Sequence, residues 1–418
     1  MPRAALPCAA CAAALLGVWF WRRRRQSATT KRASCRALRD TVALRALFKS
    51  KMGFDIGGTL AKLVFAGEVG KDPLEGIERK ASTVHRNLEF VVDGHIVIRF
   101  LVIPTHRLEE AARSIRARLA LPESDASARA RRVVAAGGGA HRFRAMMREV
   151  LHVDLLPFKE LEAVVRGLEF LAAHGPARAE LYTIAADGAE ADQPWPAPRY
   201  PLLLVNMGSG VSILKVAAPG DFARVGGTAC GGATFLGLGR ALTGESDFGA
   251  LMKLAMRGDE QRVDKSVGDI YGDDGCADLG MSAAITAANF GRLASLPPGQ
   301  RPRPEDLVRA VLKMVVQASV VVVKAFAEGQ RERSVATDAP TPRARHDRAS
   351  ASDGEDLLQR VFFVGGFVGA EENTLARQMI ASSMAAVGGR ALFCRRAEFL
   401  GALGSLADCV RRHETSEV

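Results

Sequence analysis

The residues of this 418-residue chain best suited to chemistry begin with Asp55-Ile56-Gly57-Gly58-Thr59, with Lys62 three positions on. They fall where an apolar run at 52–56 turns back into another at 61–66. Binding a phosphate needs backbone N–H groups aimed at oxygens with no side chain in the way, and consecutive glycines supply that. Asp55, at the strand end, suits Mg²⁺, a hard cation that prefers carboxylate oxygen, either directly or through water. Lys62 offers phosphates a point charge. The same residues also fit a plain hairpin closed by a glycine turn. Met207-Gly208-Ser209-Gly210-Val211-Ser212 repeats the arrangement, and two such turns are far more specific than one. A third, Gly365-Gly366, follows an apolar run at 361–364 and suits the cradle of an adenosine. No GxxxxGK[ST] is present, nor a dinucleotide fingerprint with its partner acid.

The elements that must position these turns are legible from periodicity. Residues 88–92 and 96–100 alternate well enough for a hairpin over Asp93-Gly94. A short run at 132–136 ends in Gly137-Gly138-Gly139, and apolar residues from 160 to 171 recur at helical spacing. The strand–glycine-turn–strand unit occurs twice, at 52–66 and 202–216, which predicts two related α/β lobes, one over 51–200 and one over 201–411. A glycine-rich passage at 226–239 runs into a helical pattern through Met256, and 305–327 reads as a long apolar helix. Residues 331–356, rich in Arg, Ser, Ala, Pro and Asp, have little to bury and read as a disordered insertion.

Charge is unevenly placed. The chain carries +11 overall, but residues 1–50 alone hold 11 Lys and Arg against one acid, Asp40, so the rest is close to neutral. With aromatics at 6 % and no basic–aromatic stripe, nucleic-acid binding is a poor reading. The seven cysteines have no zinc spacing and read as reduced structural thiols.

Five stretches taken in order resemble one family. They are Phe54 to Lys62, Asn206 to Ser212, Arg224 to Thr228 with Thr234 to Leu238, Val267 to Gly272, and Val364 to Phe367. The chain resembles the eukaryotic-type pantothenate kinases, within the sugar-kinase, actin and hexokinase superfamily. The resemblance implies two ribonuclease-H-like lobes with the nucleotide in the cleft between them, and ATP-dependent phosphorylation of pantothenate at the start of coenzyme A synthesis. It implies ATP and Mg as cofactors, a homodimer, and acyl-CoA as a feedback inhibitor. Glu160 matches the catalytic carboxylate that takes the hydroxyl proton, whereas Glu162, two residues on, points elsewhere. Ser209, Ser212 and Arg224 match positions around pantothenate and acyl-CoA. On the phosphate side the matches are Asp55, Gly57, Gly58, Thr59, Lys62, Gly208, Gly365 and Gly366. The chain departs from the family at Ala229 (usually a hydroxyl), Ala233 (which interrupts a glycine triplet), Gly366 (commonly Asn) and the segment 273–280, which lacks an aromatic. Rival readings are another small-molecule kinase of the superfamily and a non-catalytic CoA-sensing or scaffold subunit. Retention of Glu160 and Arg224 argues against the second.

Residues 4–21 are uncharged and are followed at once by Arg22 to Arg25. That order suits a membrane anchor that leaves the following domain on the cytosolic side. The Arg, Ala and Ser content with no acid before Asp40 also fits a mitochondrial or plastid transit segment, and a cytosolic protein with a disordered extension is the third case. Alkaline carbonate extraction of cells expressing a C-terminally tagged full chain separates them. Retention at full length indicates the anchor, a shortened soluble product in an organelle indicates import, and a full-length soluble cytosolic protein rules out both.

Overall fold

The computed structural model describes residues 52–71, 83–118, 130–176, 180–185, 187–337 and 357–414. The extension 1–50, with its segment 4–21, and residues 338–356 of the expected insertion lie outside them. The first sheet is built from β1 (Met52–Ile56), β2 (Leu60–Glu68), β3 (Thr83–Val84), β4 (Phe90–Val92), β5 (Ile96–Pro104), β6 (Arg131–Ala136) and β7 (Val153–Phe158). Its order is β3-β5-β2-β1-β6-β7, with β4 also on β5. The second contains β8 (Leu181–Ile184), β9 (Glu190–Gln193), β10 (Leu202–Met207), β11 (Val211–Ala218) and β12 (Asp221–Thr228). After the small pair β13 (Lys265–Ser266) and β14 (Thr286–Ala288) come its last strands, β15 (Val361–Val364) and β16 (Ala391–Cys394). That sheet runs β12-β11-β10-β15-β16-β8-β9.

With β3 and β4 set aside from the first sheet and the edge hairpin β8–β9 from the second, both follow the order third–second–first–fourth–fifth. In each, the first three form an antiparallel meander and the last two run parallel to the first. This is the ribonuclease-H-like plan, present twice as the two glycine hairpins predict. The expected hairpin at Asp93-Gly94 is found, with φ of 52° and 73° at the two residues. Such a turn matches the right-handed twist of its strands. The sheets do not divide at residue 200, however, since β8 and β9 belong to the second.

Helices cover both sheets. On the first lie α1 (Leu108–Arg118), α2 (Gly139–Arg142) and α3 (Arg144–Leu151), followed by α4 (Glu160–His174). The glycine passage yields two helices, α5 (Gly232–Thr243) and α6 (Phe248–Arg257), because Gly244 takes φ +81° and ends the first. A short α7 (Gly268–Tyr271) precedes α8 (Pro304–Thr337), which carries Pro304, Glu305 and Asp306 in its first turn as a helix start should. Thus 331–337, read as part of the insertion, continue the helix backbone. Its segment Pro304–Gln330 is apolar and long enough to cross a membrane, but half of that segment's most apolar stretch is buried, and it packs on α5, α6 and α10 as a core helix. The chain closes with α9 (Gly366–Gly369), α10 (Thr374–Ala386) and α11 (Leu400–Glu414).

The central core is shared by both sheets. Phe100 and Ile98 of the first and Leu204, Leu214 and Phe362 of the second meet Val164, Leu168, Leu403 and Leu406 of α4 and α11. Although it follows the second sheet in sequence, α11 returns to cover β1 and β6 of the first. The two helices cross nearly backbone to backbone. A Cβ at Gly404 would land on the Ala163 carbonyl, and one at Gly167 on that of Leu400. Gly404→Ala should therefore lower stability by roughly 1–3 kcal/mol or more, the range for overpacking. Gly329→Ala, on α8 with nothing within 4 Å of the added methyl, should raise it by about 0.5–1 kcal/mol. Urea denaturation of both variants checks the pair.

Candidate active site

The first turn is fixed from behind and open in front. Gly57 N–H donates to the Leu60 carbonyl at 2.9 Å, and the Thr105 hydroxyl donates to the carbonyls of Gly58 and Thr59 at 3.0 and 3.1 Å. A Cβ at Gly58 would meet nothing within 4 Å. Asp55 faces Lys62 across the β1–β2 ladder. Its carboxylate is backed by Gly401 of α11 and by Gly137 after β6, each too close to carry a side chain freely. Among the described residues nothing donates a hydrogen bond to it.

The second turn is seated on a helix start. Gly208 N–H donates to the Gly210 carbonyl at 2.9 Å, while the Gly208 and Ser209 carbonyls accept from Gly232 and Ala233 of α5 at 2.8 and 3.1 Å. An extra residue in β12 shifts the β11–β12 register, so that Arg224 falls opposite Leu214. Its guanidinium lies over Gly227 and its Nε donates to the Ser212 hydroxyl at 3.3 Å. These groups enclose a cavity of about 610 Å³ whose polar lining includes Glu160, Asn206, Ser209, Ser212, Arg224 and Thr228. Glu160 is the first residue of α4. Glu162 instead pairs with Arg166 at 2.8 Å, outside the cavity.

The third turn follows β15. Gly365 takes φ +97°, and a Cβ there would strike the Met207 carbonyl and Asn206 Oδ1. Asn373 and Arg377, both buried, donate to the carbonyls of Phe367 and Val368 and so shape the turn. Across the cleft, Lys62 Nζ lies 3.8 Å from where a Gly366 Cβ would be. Hence Glu160, Gly208, Ser209, Ser212 and Arg224 share one cavity. Asp55, Gly57, Gly58, Thr59, Lys62, Gly365 and Gly366 form a neighbouring group that does not line it. Asn206 and Thr228 lie within the stretches that carry the family resemblance but have no role assigned there, and the supports Gly137 and Gly401 were missed as site residues. The glycine run at 137–139 was a usable signal; Gly401 offered none.

Two carboxyls share this cleft with one ammonium. Burial pushes the Asp55 carboxyl above its ordinary value, with Lys62 pulling it back. Glu160 is raised first by loss of water in the cleft wall, then by the charge of Asp55, with Lys62 again opposing. No group of three or more His, Cys, Asp or Glu residues able to hold a metal occurs among the described residues. A cation bound mainly by phosphates, with one carboxylate and water, still fits Asp55.

The family model described as Fumble matches residues 51–333. The chain belongs to the Fumble family. Pantothenate kinase 1 of Arabidopsis thaliana is 31 % identical over 369 residues, covering 85 % of each chain. Pantothenate kinase 2 of Oryza sativa subsp. japonica is 32 % identical over 375 residues, covering 85 % of this chain but 38 % of the relative, so this Fumble chain spans well under half of that protein. A solved activator of 2-hydroxyisocaproyl-CoA dehydratase from Clostridium difficile, with ADPNP bound, is similar over 88 % of this chain and 96 % of its own. At 15 % identity and a TM-score of 0.42 it adds nothing to the topology above.

In metal- and nucleotide-free protein, ¹³C NMR should find Glu160 titrating above the ordinary carboxylate range, and Asp55→Asn should lower its pKa by removing the neighbouring negative charge. A carboxyl raised on folding favours the fold below its unfolded value, and that contribution is lost as pH rises through the folded value. Asp55→Asn should accordingly raise the thermal midpoint near neutral pH. An unchanged Glu160 titration would separate the two groups.

Proposed function

We propose that this protein is an ATP:pantothenate phosphotransferase that makes 4'-phosphopantothenate, the first step of coenzyme A synthesis. The observation that carries the reading is that Glu160 opens on the same cavity as Ser209, Ser212 and Arg224. Pantothenate has a carboxylate, an amide and hydroxyls, and an arginine with two hydroxyls suits that set. Membership of the Fumble family and the printed names of the relatives support the same substrate.

In this reading ATP lies against the Gly57-Gly58, Gly208 and Gly365-Gly366 turns, and the acceptor fills the cavity. The primary hydroxyl oxygen bonds to the γ-phosphorus as the bond to ADP breaks, and the hydroxyl proton passes to Glu160. Lys62, reaching towards Gly366, holds charge against the phosphates from the first lobe. Asp55 would hold Mg²⁺, which when bound neutralises phosphate charge. The pair of turns on facing lobes orients donor and acceptor, so positioning and charge compensation supply most of the acceleration.

The reading extends to a homodimer and to acyl-CoA as an inhibitor that competes for the Arg224 end of the cavity. Ala229 lines that cavity, so this chain offers such a ligand one hydroxyl fewer than the family pattern. Residues 4–21 would hold the kinase at a membrane on the cytosolic side.

A coupled assay with ATP and pantothenate tests the reaction. Glu160→Gln should lower kcat by roughly 10²–10⁴, the usual worth of general-base catalysis, while Mg-ATP still binds. Arg224→Ala should chiefly raise KM for pantothenate. If Glu160→Gln keeps more than about a third of wild-type kcat with chemistry rate-limiting, Glu160 is not the base.

A further inference from the structure

Asn206 is out of character with its strand. Leu202, Leu203, Leu204, Val205 and Met207 of β10 are all buried and apolar, and Asn206 alone breaks the run, two residues before the Gly208 turn. Its carboxamide makes no hydrogen bond to any described residue. The residue is half-buried and opens on the cavity, so its amide is not sealed in the core, yet a strand end that needed only packing would be as well served by valine.

Its surroundings account for the polar choice. On one side Asn206 lines the cavity that holds Glu160, Ser209, Ser212 and Arg224. On the other, its Oδ1 sits where a Cβ on Gly365 would come within 2.6 Å. The residue therefore stands between the acceptor cavity and the third glycine turn, the two places that proposed acceptor and donor would occupy. With Oδ1 turned to Gly365, the planar amide leaves its –NH₂ for the cavity side. The nearby carboxyls Asp55 and Glu160 repel a phosphoryl group, whereas a neutral –NH₂ stabilises its oxygens without adding negative charge.

The geometry points to Asn206 as a further catalytic residue, whose –NH₂ donates a hydrogen bond to the phosphoryl group in transit between ATP and the acceptor hydroxyl. The assignment rests on the kinase reading above. Its work is done on the transferring group, so its loss should appear in kcat and leave KM for pantothenate nearly unchanged.

The experiment compares the full chain with Asn206→Asp, nearly the same shape but without the donor, and with Asn206→Ala. For each, kcat and KM with pantothenate, acceptor-free ATP hydrolysis and thermal midpoint are measured. Both variants should lose roughly 10²–10³ in kcat, the usual cost of one preorganised donor, and a similar factor in ATP hydrolysis. The alanine variant should keep a thermal midpoint near wild type, while the aspartate, a further carboxyl in the cleft, should lower it near neutral pH. A folded Asn206→Asp protein within threefold of wild-type kcat overturns the proposal, as does a raised KM with kcat intact. Because aspartate adds a repelling charge as well as removing the donor, the alanine variant decides, and a folded Asn206→Ala protein with more than a third of wild-type kcat overturns the proposal. Wild-type protein that hydrolyses ATP but never phosphorylates pantothenate refutes the proposed acceptor instead. The Asn206 contact is then scored on hydrolysis alone.

Discussion

The near-contact crossing of α4 and α11 between the two sheets is the constraint on which the rest depends. Gly167 and Gly404 bring the helix backbones together where any side chain would collide with a carbonyl. That closeness lets one apolar core, with Phe100 from the first sheet and Phe362 from the second, enclose both helices. It also fixes the chemistry. Glu160 opens α4, and Gly401, in the first turn of α11, presses on the Asp55 carboxylate. The same contact thus sets the position of one carboxyl and the burial of the other.

A second tie joins the lobes at their edge. Arg396, buried after β16, pairs with the equally buried Glu180, and its Nε donates to the Leu88 carbonyl of the first lobe at 2.6 Å. Its guanidinium also lies over the rings of Phe90 and Phe100. Such a pair adds little net stability, because desolvating two charges offsets their attraction. Leaving either partner alone in the core is costly, however, so the pair favours a single docking of the lobes. The cleft geometry follows from that docking and from the helix crossing together.

Within the cleft, the charges are arranged against their own comfort. Asp55 and Glu160 are both raised by loss of water, and among the described residues Lys62 is the cation that opposes the rise in each. A fold selected for stability alone would not keep two carboxyls there. Their retention makes sense where cationic and phosphate-bearing ligands complete the balance, and it fits the glycine turns, whose bare backbones face the same space. The departure at Ala229 falls in the cavity wall, so it bears on ligand preference. It leaves Asp55, Lys62 and Glu160 in the cleft untouched.

What the sequence determined by itself was local. Short apolar runs joined by glycine turns at 52–66 and 202–216 specified two equivalent hairpins, because strand pairing and turn geometry depend on neighbours in the chain. The duplicated order of the sheets also needs the long-range parallel pairings of β6 with β1 and of β15 with β10. Glu160 and Glu162 were indistinguishable by residue type, and family likeness alone separated them. Tertiary structure gave them different surroundings, by turning one towards the cavity and giving the other to Arg166. Likewise β8 and β9 joined the second sheet, and α8 ran past residue 330. Asn206, Gly401 and Gly404 show the remainder. An amide on a strand or a glycine in a helix has no meaning until a partner from far along the chain arrives within contact distance, and only the folded packing brings it there.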